Sequence, residues 1–273
     1  MPRFAANLSM MFQEIGFLDR FDAAARAGFK GIEFLFPYDH PPETIAERLE
    51  RNRLTLALFN TVPGDWNGGE RGLAALPGRQ QEFRDGVDKA ILYASATKCP
   101  LLHTMAGLWP EGRDKAEGES VYIDNLRWAA DRAAGAGLTC IIEPINTRDI
   151  PGYFLNYTGQ AMRIIERVGR PNLQLQLDLY HVQITEGDLA TTMRALAGRY
   201  PHVQIAGNPG RNEPDIGEIN YPYLFDLFDE LGYSGWIGCE YKPRGRTSDG
   251  LAAWFAPYRA RSALTAAPEE TAT

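Results

Sequence analysis

The chain has little of what several large functional classes require. Its 273 residues include three cysteines, Cys99, Cys140 and Cys239, an odd number set in apolar, strand-like runs. That pattern fits reduced thiols packed in a core better than a disulfide framework. Positive charge is in the minority, with 28 Lys and Arg against 35 Asp and Glu and a net charge of −7. Nucleic-acid binding draws much of its affinity from cations that neutralise phosphates, so no nucleic-acid partner is expected. No apolar run is long enough to span a bilayer, and MPRFAANLSMMF lacks the charged-then-apolar plan of a secretion leader. The expectation is a cytoplasmic protein that engages no membrane. Four histidines are too few for a multi-metal phosphodiesterase. Nor does a glycine-rich phosphate loop follow the first strand, where NLSMMFQE stands instead.

What is present is an alternation. Apolar runs of strand length, FAANLS from Phe4, GIEF from Gly31, LTLALFN from Leu54, LLHTM from Leu101, LTCIIEP from Leu138, LQLQLD from Leu173, HVQIAG from His202 and WIGCEY from Trp236, are separated by segments of helical periodicity. FLDRFDAAARAG, for example, puts Phe17, Leu18 and Phe21 on one face and ends at Gly28. Eight such units without a linker predict an α/β fold, a single (β/α)8 TIM barrel over residues 1–261. The closing SALTAAPEETAT, residues 262–273, is too poor in apolar residues to pack and is expected to be a flexible tail. Two connections exceed what linking requires: TVPGDWNGGERGLAALPG after strand three and GNPGRNEPDIGEINY after strand seven. Both leave the C-terminal ends of strands, the face on which such barrels build their sites.

Strand alternation then selects residues. In LQLQLD the leucines point under the helices, which leaves Gln174, Gln176 and Asp178 for the lumen. In strand seven His202 and Gln204 face inward, while strands five and eight close with Glu143 and Glu240. Any one of these acids alone could be a salt-bridged loop residue. Together, three close carboxylates cannot all ionise unaided and must bind a cation or keep some protons, and with the amide carbonyl they make a set of oxygen donors that suits a hard divalent ion such as Mg2+ or Mn2+.

At these positions the sequence resembles the hydroxypyruvate isomerase family, within the xylose-isomerase-like barrels. The blocks RFAANLSMMF, EFLFPY, PGDWNGGERG, LPGR, IEPIN, HVQIAGNP, GEINYPYLF and GWIGCEYKP carry the resemblance over nearly the whole chain. The opening block, TLALFNT, LLHTMAG and GWIGCEYKPRG look most like the 2-oxo-tetronate isomerase branch, whereas IEPIN looks more like hydroxypyruvate isomerase proper. The family implies one metal ion held by Glu143, Asp178, Gln204 and Glu240, with Glu143 and Glu240 as the acid/base pair. Where hydroxypyruvate isomerases tend to carry an acid after the strand-seven QIA, this chain has Gly207.

The resemblance thus implies a carbonyl shift between adjacent carbons of a small hydroxy-keto acid, with two glutamates exchanging protons through an enediolate. Lys242, two residues beyond Glu240, is placed to meet the substrate carboxylate, and Arg71 and Arg211 on the long loops are further candidates. His181 is a candidate hydrogen-bond partner for a substrate hydroxyl, and His103, at the end of strand four, is a further substrate-binding candidate or else a lumen residue bonded to a neighbour. Glu33, Asn7 and Asn60 end strands one to three and are expected to tie the lumen together. Trp66 is a candidate shield against water. A ketose 3-epimerase on the same fold would typically carry histidine at Gln204, and a sugar-acid binding protein without turnover is the non-catalytic alternative. Self-association into a homo-oligomer is left open.

Overall fold

The computed structural model describes residues 2–265. Eight parallel strands close on themselves in chain order: β1 (Arg3–Asn7), β2 (Gly31–Glu33), β3 (Thr55–Asn60), β4 (Leu101–His103), β5 (Thr139–Ile142), β6 (Leu173–Asp178), β7 (His202–Ile205) and β8 (Trp236–Cys239). All eight coincide with the expected runs. The helices α1 (Phe17–Ala27), α2 (Pro42–Asn52), α3 (Gln80–Thr97), α4 (Lys115–Ala134), α5 (Thr158–Val168), α6 (Leu179–Thr185), α7 (Leu189–Ala195), α8 (Tyr221–Glu230) and α9 (Thr247–Thr265) surround them. One crossover is thus split into two short helices, α6 and α7. Helix α9 passes the boundary expected at 261, and residues 266–273 of the expected tail lie outside the described residues.

Local chemistry explains the element ends. Helix α1 stops at Gly28, whose φ of 100° is a left-handed conformation that costs a β-carbon dearly. Helix α6 begins directly from β6 because Asp178 caps it, accepting from the backbone N–H groups of Tyr180 and His181. The last residue of the strand is therefore also the anchor of the next helix, and its carboxylate is fixed before any ligand arrives.

Two apolar layers result. Leu173, Leu175, Leu177, Val203 and Ile205 join the large core between sheet and helices, as alternation predicts. The lower lumen is filled by Ala5, Ala57, Leu58, Leu101 and Ile141 over Trp236, whose ring is stacked under Arg3 at 4.0 Å. Gln174 lies at that lower end and bonds the Pro171 carbonyl, so it is not part of the upper polar ring. Strand β3 breaks the pairing register with β2: Ile32 pairs Leu56 but Glu33 pairs Leu58. The extra residue puts both Ala57 and Leu58 in the lumen, returns Phe59 to the outer core and brings Asn60 to bond His103. The three cysteines are buried and unpaired, with burial pushing the Cys99 and Cys140 thiols up to about 12. Among the described residues no helix is long and apolar enough to cross a membrane.

Candidate active site

A cavity of about 440 Å3 opens at the C-terminal end of the barrel. Its floor is the polar ring at the strand ends, and its walls come from the loops. The loop after β3 brings Trp66 and Arg71, and that after β7 brings Pro209, Gly210 and Arg211. Both connections singled out for their length thus line it. A third, after β5, is as long as the β7 loop and adds Ile145, Asp149 and Ile150, which length arguments had passed over.

Glu143 and Glu240 stand one residue beyond β5 and β8, both 5% exposed. One ligand atom from each of Glu143, Asp178, His181 and Glu240 lies within 4.8 Å of the other three, a buried cluster that could hold a metal ion. Burial and the neighbouring carboxylates Glu240 and Asp178 push Glu143 well above the ordinary carboxylate range, and one of its oxygens, Oε1, has no hydrogen-bond partner. Burial likewise raises Glu240 to about 8 and Asp178 to about 6, against the opposing pull of Arg211. Three carboxylates this close with one oxygen unsatisfied form an acceptor-rich cage that lacks positive charge.

Arg211 supplies part of that charge. It sits at φ 53° in the β7 loop, pairs with Glu240, and lies 3.5 Å from Asp149 and 3.8 Å from Asp178, with its guanidinium 5.0 Å from the Tyr180 ring centre. The surrounding acids hold it above its ordinary value despite its burial. It is therefore committed to the cluster rather than waving from a loop. Arg71 differs: its bonds to the Trp66 and Glu70 carbonyls both use Nη1, and its guanidinium lies 4.0 Å from the Trp66 ring, an arrangement that fixes the group while leaving its other edge uncommitted. Lys242 is exposed at the mouth, tied through its backbone to Arg211 and Asn212.

The histidines are held in defined tautomers. Asn146 Oδ1 accepts the Asp149 backbone N–H, so its amide nitrogen faces His181 Nδ1 at 2.6 Å. Nδ1 must accept, which puts the ring proton on Nε2, 3.5 Å from Asp178 and 3.8 Å from Glu143. Burial and Arg211 hold His181 well below its ordinary value, so it is a neutral donor. His103 bonds Asn60 at 3.2 Å, lies 3.7 Å from Glu143 and is brought down to about 3 by burial. Gln204 lines the cavity, with its nitrogen on Glu33 and its carbonyl oxygen on the other side. At Gly207 a β-carbon would come within 2.4 Å of the Glu213 and Ile216 carbonyls, so no acid could stand there without opening the loop.

Sequence reasoning reached the three carboxylates, Gln204, the loop arginines and both histidines. It missed Asn146 and Asp149, which fix His181 and Arg211. Their signal was the run INTRD, polar residues within reach of IEP but outside any strand pattern.

Comparison with known proteins agrees with this architecture. A model described as xylose isomerase-like TIM barrel matches residues 21–258. The chain is 55% identical to a 2-oxo-tetronate isomerase of Cupriavidus necator, over 96% of its own length and 100% of that protein. It is 48% identical to a hydroxypyruvate isomerase of Escherichia coli, over 95% and 100% respectively. A crystal structure from Brucella melitensis, named AP endonuclease, family 2, superposes with a TM-score of 0.92 at 55% identity, covering 94% of this chain and 99% of the other. The chain belongs to the xylose isomerase-like TIM barrel family, beside its hydroxypyruvate and 2-oxo-tetronate isomerases.

Proposed function

We propose that the protein is a metal-dependent isomerase that moves a carbonyl between adjacent carbons of a small hydroxy-keto acid, 2-oxo-tetronate first and hydroxypyruvate second. The observation that carries this reading is the buried cluster of Glu143, Asp178 and Glu240 at the floor of one cavity. The order of substrates follows the higher identity to the 2-oxo-tetronate isomerase.

The donor set fits a hard divalent ion, Mg2+ or Mn2+: three carboxylates, the unsatisfied Oε1 of Glu143 and the carbonyl of Gln204 offer oxygen ligands, and no cysteine competes. Such an ion, when bound by Glu143, Asp178, Gln204 and Glu240, polarises the carbonyl and stabilises negative charge developing on the substrate oxygens.

The chain's own residues supply the rest. One of Glu143 and Glu240 takes the proton from the carbon beside the carbonyl. The other, protonated, returns one to the former carbonyl carbon. The pair of the broken C–H bond becomes the enediolate C=C and then the new C–H bond, while the pair of the hydroxyl O–H bond closes the new carbonyl and that proton passes to the former carbonyl oxygen. Raised affinity of both acids for protons suits them to exchange one near neutral pH. His181 Nε2–H donates to a substrate oxygen, and His103 lines the same wall. Arg71, with Lys242 at the mouth, receives the substrate carboxylate, because Arg211 is already matched by acids. Trp66 holds Arg71 and shields the site from water.

Proton NMR in D2O with Mg2+ or Mn2+ tests the reading, with each acid offered separately. Conversion with deuterium incorporated at carbon supports it; absence of exchange with both overturns it. The endonuclease name of the Brucella melitensis structure favours a second reading, cleavage at abasic DNA. The net charge of −7 and the three acids at the floor oppose a polyphosphate substrate. Nicking of an abasic duplex by the purified protein would reverse that preference.

A further inference from the structure

We infer that Glu33 is a positioning residue that decides which end of the Gln204 amide faces the carboxylate cluster. The inference rests on the proposed reading that Gln204 belongs to the donor set of the ion. Glu33 ends β2, is 1% exposed and does not line the cavity, so it touches no substrate. Its Oε1 receives Asn7 Nδ2 at 2.9 Å and Gln204 Nε2 at 2.8 Å, and its Oε2 meets His202 Nε2 at 2.6 Å.

The orientation follows from groups that can act in only one sense. The Ser9 backbone N–H can only donate, and it donates to Asn7 Oδ1 at 3.0 Å. The amide nitrogen of Asn7 is therefore turned inward, to Glu33 and, at 3.3 Å, to Glu240. Glu33 Oε1 accepts, so the end of Gln204 beside it must be the NH2 group. The carbonyl oxygen of Gln204 is left on the opposite side, where Gln176 Nε2 meets it at 2.5 Å. A carbonyl oxygen ligates a hard cation and an NH2 group does not. The arrangement has costs: Gln176 Oε1 and His202 Nδ1 are both buried without a partner. Strand β8 also yields space for it, since a β-carbon on Gly238 would lie 2.2 Å from Glu33 Oε2.

Replacing the acceptor with an amide removes the constraint, because Gln at 33 can present NH2 to Gln204 and turn it round. Mn2+ binding is measured by electron paramagnetic resonance on wild type, Glu33→Gln, Gln204→Ala and the double variant. Outer partners of metal ligands typically contribute about 10–100-fold in affinity, and a loss of that size is expected for Glu33→Gln in the wild-type background. In the Gln204→Ala background, where the three carboxylates still offer a weaker site, the same change should cost less than about twofold, because the route through Gln204 is gone. Equal losses in both backgrounds, or no loss in either, overturn the inference. Failure of the wild type to bind Mn2+ overturns the metal reading instead. Should Glu33→Gln not fold, Glu33→Asp, which withdraws the carboxylate by one methylene, carries the same comparison.

Discussion

Asn146 Nδ2 lies 2.6 Å from Nδ1 of His181, and the Asp149 backbone N–H on the other end of the amide forbids the reverse orientation. The imidazole is thereby fixed as a donor towards the carboxylates. Asn146→Asp would offer Nδ1 an acceptor and reverse the tautomer. Turnover should fall on the order of 100-fold, the lower end of what a misplaced proton costs. Nitrogen NMR of the imidazole should show the proton moved from Nε2 to Nδ1; an unchanged tautomer with unchanged turnover would remove His181 from the proposed chemistry.

Glu143→Gln and Glu240→Gln should each lower turnover by roughly 100- to 10,000-fold, the usual range for acid/base groups. Each also replaces a carboxylate whose charged form burial disfavours, so melting temperature measured without added metal should hold or rise. Substantial activity in either variant would end the two-base mechanism.

The pH dependence of stability has a definite sign. Glu240 binds its proton more tightly in the fold, with its value raised from the ordinary carboxylate range to about 8, and Asp178 is raised to about 6. At these two carboxyls the folded state therefore holds more protons than the unfolded chain, and their contribution to stability is greatest below the unfolded values and is lost as pH rises towards 8. His103 and His181, held neutral in the fold, act in the opposite sense below the ordinary histidine value. Urea denaturation at pH 7 and pH 8, above the histidine range and without divalent ions, should show the lower midpoint at pH 8. Added Mn2+ should reduce or reverse the difference, since it favours the ionised carboxylates.

Arg71→Ala should act mainly on binding. A hydrogen bond to a charged partner contributes about 1.5–3 kcal/mol, so KM for the acid substrate should rise roughly 10- to 150-fold with a smaller change in kcat. Steady-state kinetics separate the two. A fall in kcat at unchanged KM would assign the carboxylate to Lys242 or Arg211.

The sequence made the barrel legible because each strand is bracketed by turns and the period changes cleanly from 2 to 3.6; in LQLQLD, alternation alone separates Asp178 from the leucines beneath the helices. The acids were legible for the same reason, since Glu143 and Glu240 directly follow apolar runs. Asn146 and Asp149 were not, because a loop has no period from which a direction can be read. Arg211 was legible as a candidate but not in its role: only the folded loop shows that its charge is spent on Glu240, Asp178 and Asp149.

The additional residue in β3 gives the polar ring a dependence on chain length. Deleting Ala57 would leave Ile32 opposite Leu56 and Glu33 opposite Leu58 in an unbroken ladder, with Phe59 outward and Asn60 inward as before, whereas a strand of the present length without the bulge would send Phe59 towards His103 and Asn60 under the helices. The bulge thus corrects the parity of a strand one residue too long for the ring, and loss of Ala57 should be tolerated better than gain of a residue beside it.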